Sequence, residues 1–125
     1  MNALHNEKRY QLASQLIRIA GIEGGVIDSI TVLVIGDTET AKAISELIGC
    51  NILKKTSEIK MFKEKVCYNT VFLFEDICDS LLTEITYEGA LVIDASYESL
   101  GDTVYYADGK KYRRIKVVSL FKNKI

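Results

Sequence analysis

Residues 30–48 combine a strand, a glycine and a helix, an arrangement that binds anions and nucleotides in many α/β proteins. Ile30 to Ile35 is an almost unbroken β-branched run, Gly36 ends it, and Thr38 is suited to cap the next helix. A dinucleotide-binding loop needs small residues at three places, which hold Gly36, Thr38 and Ala41 in this sequence. Gly36 and Ala41 fit this pattern. Thr38 does not, because it puts a branched side chain where a glycine would admit the pyrophosphate. Such a turn is also common in sheets that bind no ligand.

Lysines follow the next predicted strand, which covers Cys50 to Leu53. Nucleotide domains usually place an acidic residue here to bind ribose hydroxyls, whereas basic residues suit the 2′-phosphate of NADP. This chain has Lys54, Lys55 and Thr56 at these positions. The alternative is two solvated lysines at the end of a strand.

The remaining acidic side chains and the cysteines give little indication of a metal site or a catalytic site. Glu75, Asp76 and Asp79 occupy a predicted helix start, where acids normally interact with the helix dipole rather than with a metal. Asp37 is suited to bind a ribose or magnesium, but aspartate caps turns more often. Cys78 has acidic neighbours, which we expect to raise the pKa of its thiol and to disfavour a nucleophilic role. We predict no catalytic residue and no metal site.

The composition describes one soluble domain. The chain has 125 residues, of which 48% are hydrophobic and 26% charged, with three cysteines, one histidine and no proline. The cysteines form no Cys-x-x-Cys pair, which excludes a zinc knuckle and a secreted disulfide framework. Three thiols without a framework fit a reducing compartment, so we expect a cytoplasmic protein. No apolar run is long enough to span a membrane.

The charge is strongly asymmetric. Residues 1–109 carry nine bases and 17 acids, a net −8, whereas residues 110–125 carry seven bases and no acid. A basic segment can bind phosphate or nucleic acid, but the acidic body opposes a broad nucleic-acid footprint. The alternative is an edge strand whose lysines prevent edge-to-edge pairing.

The elements that position these residues alternate along the chain. The patterns predict helices at 6–20, 38–48, 57–65 and from Asp76, with Asn6 capping the first, and buried-type strands at 30–35, 50–53, 69–74 and 90–94. Gly21, Gly24 and Gly25 form a connector. Alternating strands and helices predict a three-layer α/β domain of Rossmann type around a mostly parallel sheet. We divide it into residues 1–25, a core at 30–99, and a C-terminal part at 103–121.

The sequence pattern of the C-terminal part predicts an antiparallel hairpin followed by a last strand. Val104–Ala107 and Lys110–Arg113 flank Asp108-Gly109, a dipeptide suited to a type I′ turn. In this register Tyr105 faces Tyr112, a favourable cross-strand pair. Residues 115–121 form the last strand.

Two blocks of the sequence resemble the cofactor domain of shikimate/quinate dehydrogenases. In residues 31–59, Gly36 matches the first glycine of the family's loop, Thr40-Ala41-Lys42-Ala43-Ile44 match its helix start, and Lys54-Lys55-Thr56 fall on the Asn-Arg-Thr that holds the NADP 2′-phosphate. Residues 90–97 are similar to the stretch near the nicotinamide. The resemblance implies an NADP site made of Gly36, Asp37, Thr38, Thr40, Ala41, Lys54, Lys55, Thr56, Asp94, Ser96 and Tyr97.

The departures from the family limit what the resemblance implies. The family's catalytic lysine and aspartate lie in a separate N-terminal domain, for which this chain has no room. Glu39 adds negative charge beside a pyrophosphate, and the family's proline after the tyrosine is missing. We therefore expect a stand-alone domain that binds NADP or a related nucleotide, either as an accessory or regulatory subunit or as a relative of these enzymes that has lost hydride transfer. The alternative is a non-enzymatic interaction module that dimerises, or binds a protein, through its basic C-terminal hairpin.

Overall fold

The computed structural model describes residues 3–61, 67–95, 103–106 and 112–116. Within these ranges helices and strands alternate as the sequence predicts. The helices are α1 (Ala3–Ile22), α2 (Glu39–Ile48) and α3 (Asp79–Ile85), with a 3₁₀-helix at Thr56–Met61. The strands are β1 (Val32–Ile35), β2 (Asn51–Leu53), β3 (Tyr68–Leu73), β4 (Thr86–Asp94), β5 (Thr103–Tyr106) and β6 (Arg113–Lys116).

The strands form one sheet in the order β2-β1-β3-β4-β6-β5. The first five strands in this order pair in parallel, and β5 joins β6 in the antiparallel direction at one edge. The predicted α/β fold with a mostly parallel sheet is therefore confirmed. The chain crosses over at β1, so the crevice that doubly wound sheets use for ligands lies between β1 and β3. We call the edge where the parallel strands end the carboxyl edge, and the opposite edge the amino edge.

Helices cover both faces of the sheet because its central strands are apolar on both sides. All four residues of β1 are buried. One face packs against α1 and α2, with a core that includes Leu16, Val34, Ile44, Phe72 and Ile93. The other face packs against the 3₁₀-helix and α3, with a core that includes Leu33, Ile59, Leu73, Leu82 and Val92.

Helix α2 begins and ends at the predicted residues. The Thr38 hydroxyl accepts a hydrogen bond from the Ala41 N–H at 3.0 Å, so it caps the helix. Gly49 follows the helix in the left-handed conformation, with φ 76°, and its N–H donates to the Ser45 carbonyl. Both caps satisfy backbone groups that a helix end leaves without partners.

Two predicted helix starts are wrong, and one predicted helix is of a different type. Helix α1 begins at Ala3, so Asn6 lies inside it rather than capping it. The described part of the helix predicted at 57–65 is a 3₁₀-helix, Thr56–Met61, and residues 62–66 lie outside the described residues. Helix α3 begins at Asp79 instead of Asp76, because Cys78 occupies the N-cap position. Apolar spacing locates a helix but does not determine its first residue.

The predicted C-terminal hairpin is wrong in its register and its strands. Tyr105 is paired with Arg114, not with Tyr112. A single strand, β6, spans the boundary between the two strands predicted at 110–113 and 115–121. Its position is determined by parallel pairing with β4, in which Leu91 is paired with Arg113, so the local preference of a two-residue turn does not set the register. Asp108-Gly109 and residues 117–125 lie outside the described residues.

No described helix combines the length and the apolar character needed to cross a bilayer.

Candidate functional site

Parallel pairing of β1 and β2 brings the two predicted halves of the site to one place on the carboxyl edge. Ile35, the last residue of β1, is in register with Leu53, the last residue of β2. The Gly36 N–H then donates to the Leu53 carbonyl at 2.7 Å. The turn at Gly36 therefore lies directly beside the backbone that leads into Lys54 and Lys55.

Gly36 is required by a packing contact. Its φ is 141°, and a Cβ built on it would lie 2.6 Å from the Cβ of Phe74. Phe74 follows β3, and its N–H donates to the Ile35 carbonyl at 2.8 Å. Phe74 therefore packs closely against Gly36, at the position where the first glycine of a dinucleotide loop makes the tight turn. The sequence analysis missed Phe74, since a single aromatic residue after a strand carries no motif.

The first turn of α2 keeps part of its anion-binding capacity. The Ala41 N–H is bonded to the Thr38 hydroxyl. The N–H groups of Glu39 and Thr40 belong to the same first turn, where backbone donors have no acceptor within the helix. The helix dipole adds partial positive charge at this end. The N–H groups of Glu39 and Thr40 therefore donate to no acceptor within the helix itself and lie at its positive end.

The acidic residues of this turn are matched by cations. Lys42 Nζ lies 3.6 Å from Asp37 Oδ1 and 3.5 Å from Glu39 Oε1. The other oxygen of Glu39 lies 3.6 Å from Arg9 Nη1, on α1. The negative charge that the sequence places beside a pyrophosphate is therefore largely balanced within the fold.

Arg9 connects α1 to α2. Its Nη2 lies 3.5 Å from Glu46 Oε2 and donates to the Tyr10 hydroxyl at 2.8 Å. The Tyr10 hydroxyl in turn donates to Glu46, and this hydrogen bond is the main reason that the pKa of Tyr10 is raised. The sequence analysis missed Arg9, because neither helix contains a local pattern that predicts a contact between them.

A cavity of about 220 Å³ lies between α1 and the first turn of α2. Lys8, Arg9, Leu12, Glu39 and Thr40 line it. Among the described residues, the Nε of Arg9 is buried without a hydrogen-bond partner. The carboxyl edge thus has a partly basic cavity between α1 and α2, which the sequence did not predict.

Lys54 and Lys55 are exposed at the end of β2. Within the described ranges neither side chain forms an ion pair that would compete for a ligand. Thr56 begins the 3₁₀-helix, and Thr40 and Ala41 lie in the first helical turn described above. The residues that the sequence assigns to the adenosine end therefore lie on neighbouring backbone segments.

The predicted nicotinamide end is more constrained. Asp94 ends β4 at the carboxyl edge and is fully buried. Its Oδ2 accepts from Arg114 Nε at 2.8 Å and lies 2.6 Å from Arg114 Nη2, so it is held in an ion pair with β6. Ser96 and Tyr97 lie outside the described residues.

The thiols differ from one another in acidity. The Ser80 hydroxyl, followed by backbone N–H groups at the start of α3, lowers the pKa of Cys78, so the expectation that acidic neighbours raise it is wrong. Burial raises the pKa of Cys50 to about 11. No group of three or more His, Cys, Asp or Glu side chains in the described ranges is arranged to hold a metal ion.

The carboxyl edge therefore carries the positive end of the α2 dipole and, after β2, the exposed side chains of Lys54 and Lys55, which are groups that suit anions. Neither arrangement includes a described residue placed as a general acid, a general base or a nucleophile. No protein-family model, no curated protein and no solved structure matches the chain.

Proposed function

We propose that the chain binds a phosphorylated adenine nucleotide, NADP in preference to NAD, at the carboxyl edge of β1 and β2. The observation that carries this proposal is the hydrogen bond from Gly36 to Leu53, which joins the turn before α2 to the backbone before Lys54. A doubly wound sheet binds ligands at its carboxyl edge beside the strand where the order reverses, which is β1 in this sheet.

Each part of the site has a defined role in this proposal. The N–H groups of Glu39 and Thr40 bind the pyrophosphate, supported by the helix dipole. Lys54 and Lys55 bind the 2′-phosphate of the ribose as two point charges. The nicotinamide lies toward the end of β4, where Asp94 is the one of its three assigned residues (Asp94, Ser96 and Tyr97) that the structure describes.

Charge balance supports the proposal. Lys42 and Arg9 contact the two acids that would otherwise repel a pyrophosphate. The proposed pyrophosphate contacts lie at the first turn of α2 rather than at Gly36, against which Phe74 packs. We propose an accessory or regulatory role, because the arrangement supplies binding groups rather than groups that transfer a hydride or a proton.

The alternative function, docking through the basic C-terminal hairpin, has weaker support. Arg113 Nη1 lies 3.7 Å from Glu23 Oε2, and Arg114 is bonded to Asp94. Both arginines are therefore engaged within the molecule, which leaves less of the basic charge for a partner.

Calorimetric titration of the full chain with NADP, NAD and adenosine 2′,5′-bisphosphate tests the proposal. We expect NADP to bind more tightly than NAD by about tenfold or more, because two charge-assisted contacts reach the 2′-phosphate. The bisphosphate, which carries the same 2′-phosphate, should compete with NADP. Lys54→Glu with Lys55→Glu should reduce NADP affinity to the level of NAD.

Two controls distinguish specific contacts from net charge. Arg18→Glu changes an exposed cation on α1, at a distance from α2's first turn, and should leave NADP affinity unchanged. Lys54→Arg with Lys55→Arg should retain most of the preference for NADP. The proposal is wrong if millimolar nucleotide gives neither heat nor a rise in melting temperature, or if the NADP preference survives the double Glu substitution.

A further inference from the structure

The large apolar side chains that the described residues expose lie at the amino edge. They are between 37% and 79% exposed and comprise Ile22, Val26, Ile27, Ile30, Leu47 and Tyr87. Ile22 ends α1, and the next three residues in this set lie in the connector to β1. Leu47 lies in the last turn of α2, and Tyr87 lies at the start of β4. We call this set the amino-edge patch.

Contacts along the connector show that these elements meet at one edge. The Thr70 hydroxyl, near the start of β3, donates to the Val26 carbonyl at 2.7 Å. A Cβ on Gly49, just after α2, would lie 4.0 Å from the Cβ of Ser29. The Asn69 N–H donates to the Thr31 carbonyl at 2.8 Å. The connector therefore runs beneath the starts of the strands and beside the end of α2.

The acids of the connector are engaged within the molecule. Both carboxylate oxygens of Asp28 accept hydrogen bonds, Oδ1 from the N–H groups of Ile30 and Thr31 and Oδ2 from the Thr31 hydroxyl. Glu23 is ion-paired with Arg113. The connector thus brings little unbalanced charge to a surface placed against it, as is typical of the central part of a protein interface.

The exposed area is large enough for self-association. The exposed fractions correspond to roughly three fully exposed large side chains, or about 600 Å² on one copy. Two copies would bury about 1,200 Å² in total, at the lower limit of specific protein interfaces. A patch of about 600 Å² is at the upper end of the largest apolar patches on monomers, which often serve binding.

From the area and the internally satisfied charges, we infer that the amino-edge patch is the interface of a homodimer. A two-fold dimer places the same patch on both copies, so Ile22 and Ile30 meet apolar residues of the second copy. The interface is separate from the carboxyl edge, and this inference does not depend on nucleotide binding. Its small area predicts a reversible dimer that dissociates on dilution.

Sedimentation velocity of the full chain, from micromolar to millimolar concentration, tests the inference. We expect the wild type to move from monomer toward dimer as concentration rises. Ile22→Asp with Ile30→Asp should stay monomeric over the same range, because each copy would bring two charges into an apolar contact. Both side chains are more than 70% exposed, so the substitutions should leave the melting temperature of the monomer nearly unchanged.

Ser14→Asp adds a charge at an exposed position of α1 outside the patch and should dimerise like the wild type. A chain that remains monomeric at millimolar concentration overturns the inference and would assign the patch to a different partner. A dimer that survives the double Asp substitution also overturns it and would place the interface elsewhere. Repeating the measurement with Lys54→Glu and Lys55→Glu should give an unchanged dimer.

Discussion

At Gly36 the backbone has a φ of 141°, a conformation that residues with a Cβ rarely adopt. The Phe74 side chain lies against the same Cα, so both the dihedral angle and the available space exclude a larger residue. A glycine after the first strand suggests a phosphate-binding loop in the sequence. In the structure the same glycine is explained by the contact between β1 and β3. Glycine thus suits both a phosphate-binding loop and a close contact between neighbouring strands, and the sequence alone does not distinguish these two requirements.

Gly36→Ala should destabilise the fold strongly. The added methyl would lie 2.6 Å from the Phe74 Cβ and would also strain the backbone. We expect the free energy of unfolding to fall by about 2–4 kcal/mol. Urea denaturation followed by circular dichroism measures the change.

Gly21→Ala provides the matched control. Gly21 lies in the last turn of α1, and no heavy atom lies within 4 Å of a Cβ built there. Alanine favours a helix over glycine, so this variant should be neutral or more stable by up to about 1 kcal/mol. Equal losses for the two variants would show that contact with Phe74 does not determine the requirement for glycine at position 36.

Asp28 should make stability depend on pH. The Thr31 N–H, then the Thr31 hydroxyl, hold the pKa of this carboxyl below its usual value. Because the folded pKa is lower than the unfolded one, the stabilisation is complete above the unfolded pKa and is lost as pH falls through the folded pKa. Asp28→Asn should therefore lower the urea midpoint at neutral pH, and the difference from wild type should shrink below about pH 4.

Thr31→Val checks the cause of that pH dependence. It removes the hydroxyl donor but keeps the backbone N–H, so it should reduce the pH-dependent difference without abolishing it. Stability curves for wild type and Asp28→Asn that run parallel into the acid range would contradict the assignment.

Among the elements, β4 and β6 are joined by a buried ion pair. Asp94 is fully buried, and Arg114 reaches it from the neighbouring strand with two nitrogens. Removing one partner of a buried pair leaves a charge in a low-dielectric environment, which costs much more than the pair itself contributes. Arg114→Met should therefore lower the free energy of unfolding by about 3–5 kcal/mol in urea denaturation.

Two further variants separate charge from packing at this position. Asp94→Asn with Arg114→Met removes both charges and should recover part of the loss. Arg113→Met removes a more exposed pair, with Glu23, and should cost about 1 kcal/mol. If Arg114→Met costs no more than Arg113→Met, the buried pair does not stabilise this part of the sheet.

The elements most accurately predicted from sequence are those with strong local determinants. β1 is an almost unbroken β-branched run and α2 has Thr38 and Gly49 at its ends, so both elements are confirmed, although β1 begins at Val32 rather than at Ile30. Asn6 failed as a cap because a polar residue near a helix start satisfies the same pattern whether it precedes the helix or lies in it. Arg9 was missed because its partners Glu39 and Glu46 lie on another helix, and only tertiary packing brings them together.

At the scale of the molecule, alternation of strands and helices correctly predicted a mostly parallel α/β sheet. The C-terminal register failed because pairing of β6 with β4 outweighs the preference of a local turn. The charge asymmetry is evident from the sequence, but the sequence does not show which acids the basic residues contact. Arg113 and Arg114 neutralise acids of the body, so part of the basic segment stabilises the fold instead of forming a free basic surface.

The parallel pairing of β2, β1, β3, β4 and β6 also has a kinetic consequence. Each of these pairings joins strands separated by a crossover connection, so the central sheet contains no hairpin that can form early from neighbouring residues. The chain must close long loops before most strand contacts form, and folding rates fall as native contacts become less local. Slow formation of the sheet would leave the apolar strands exposed in the unfolded chain, which makes aggregation during refolding the main competitor of the native state.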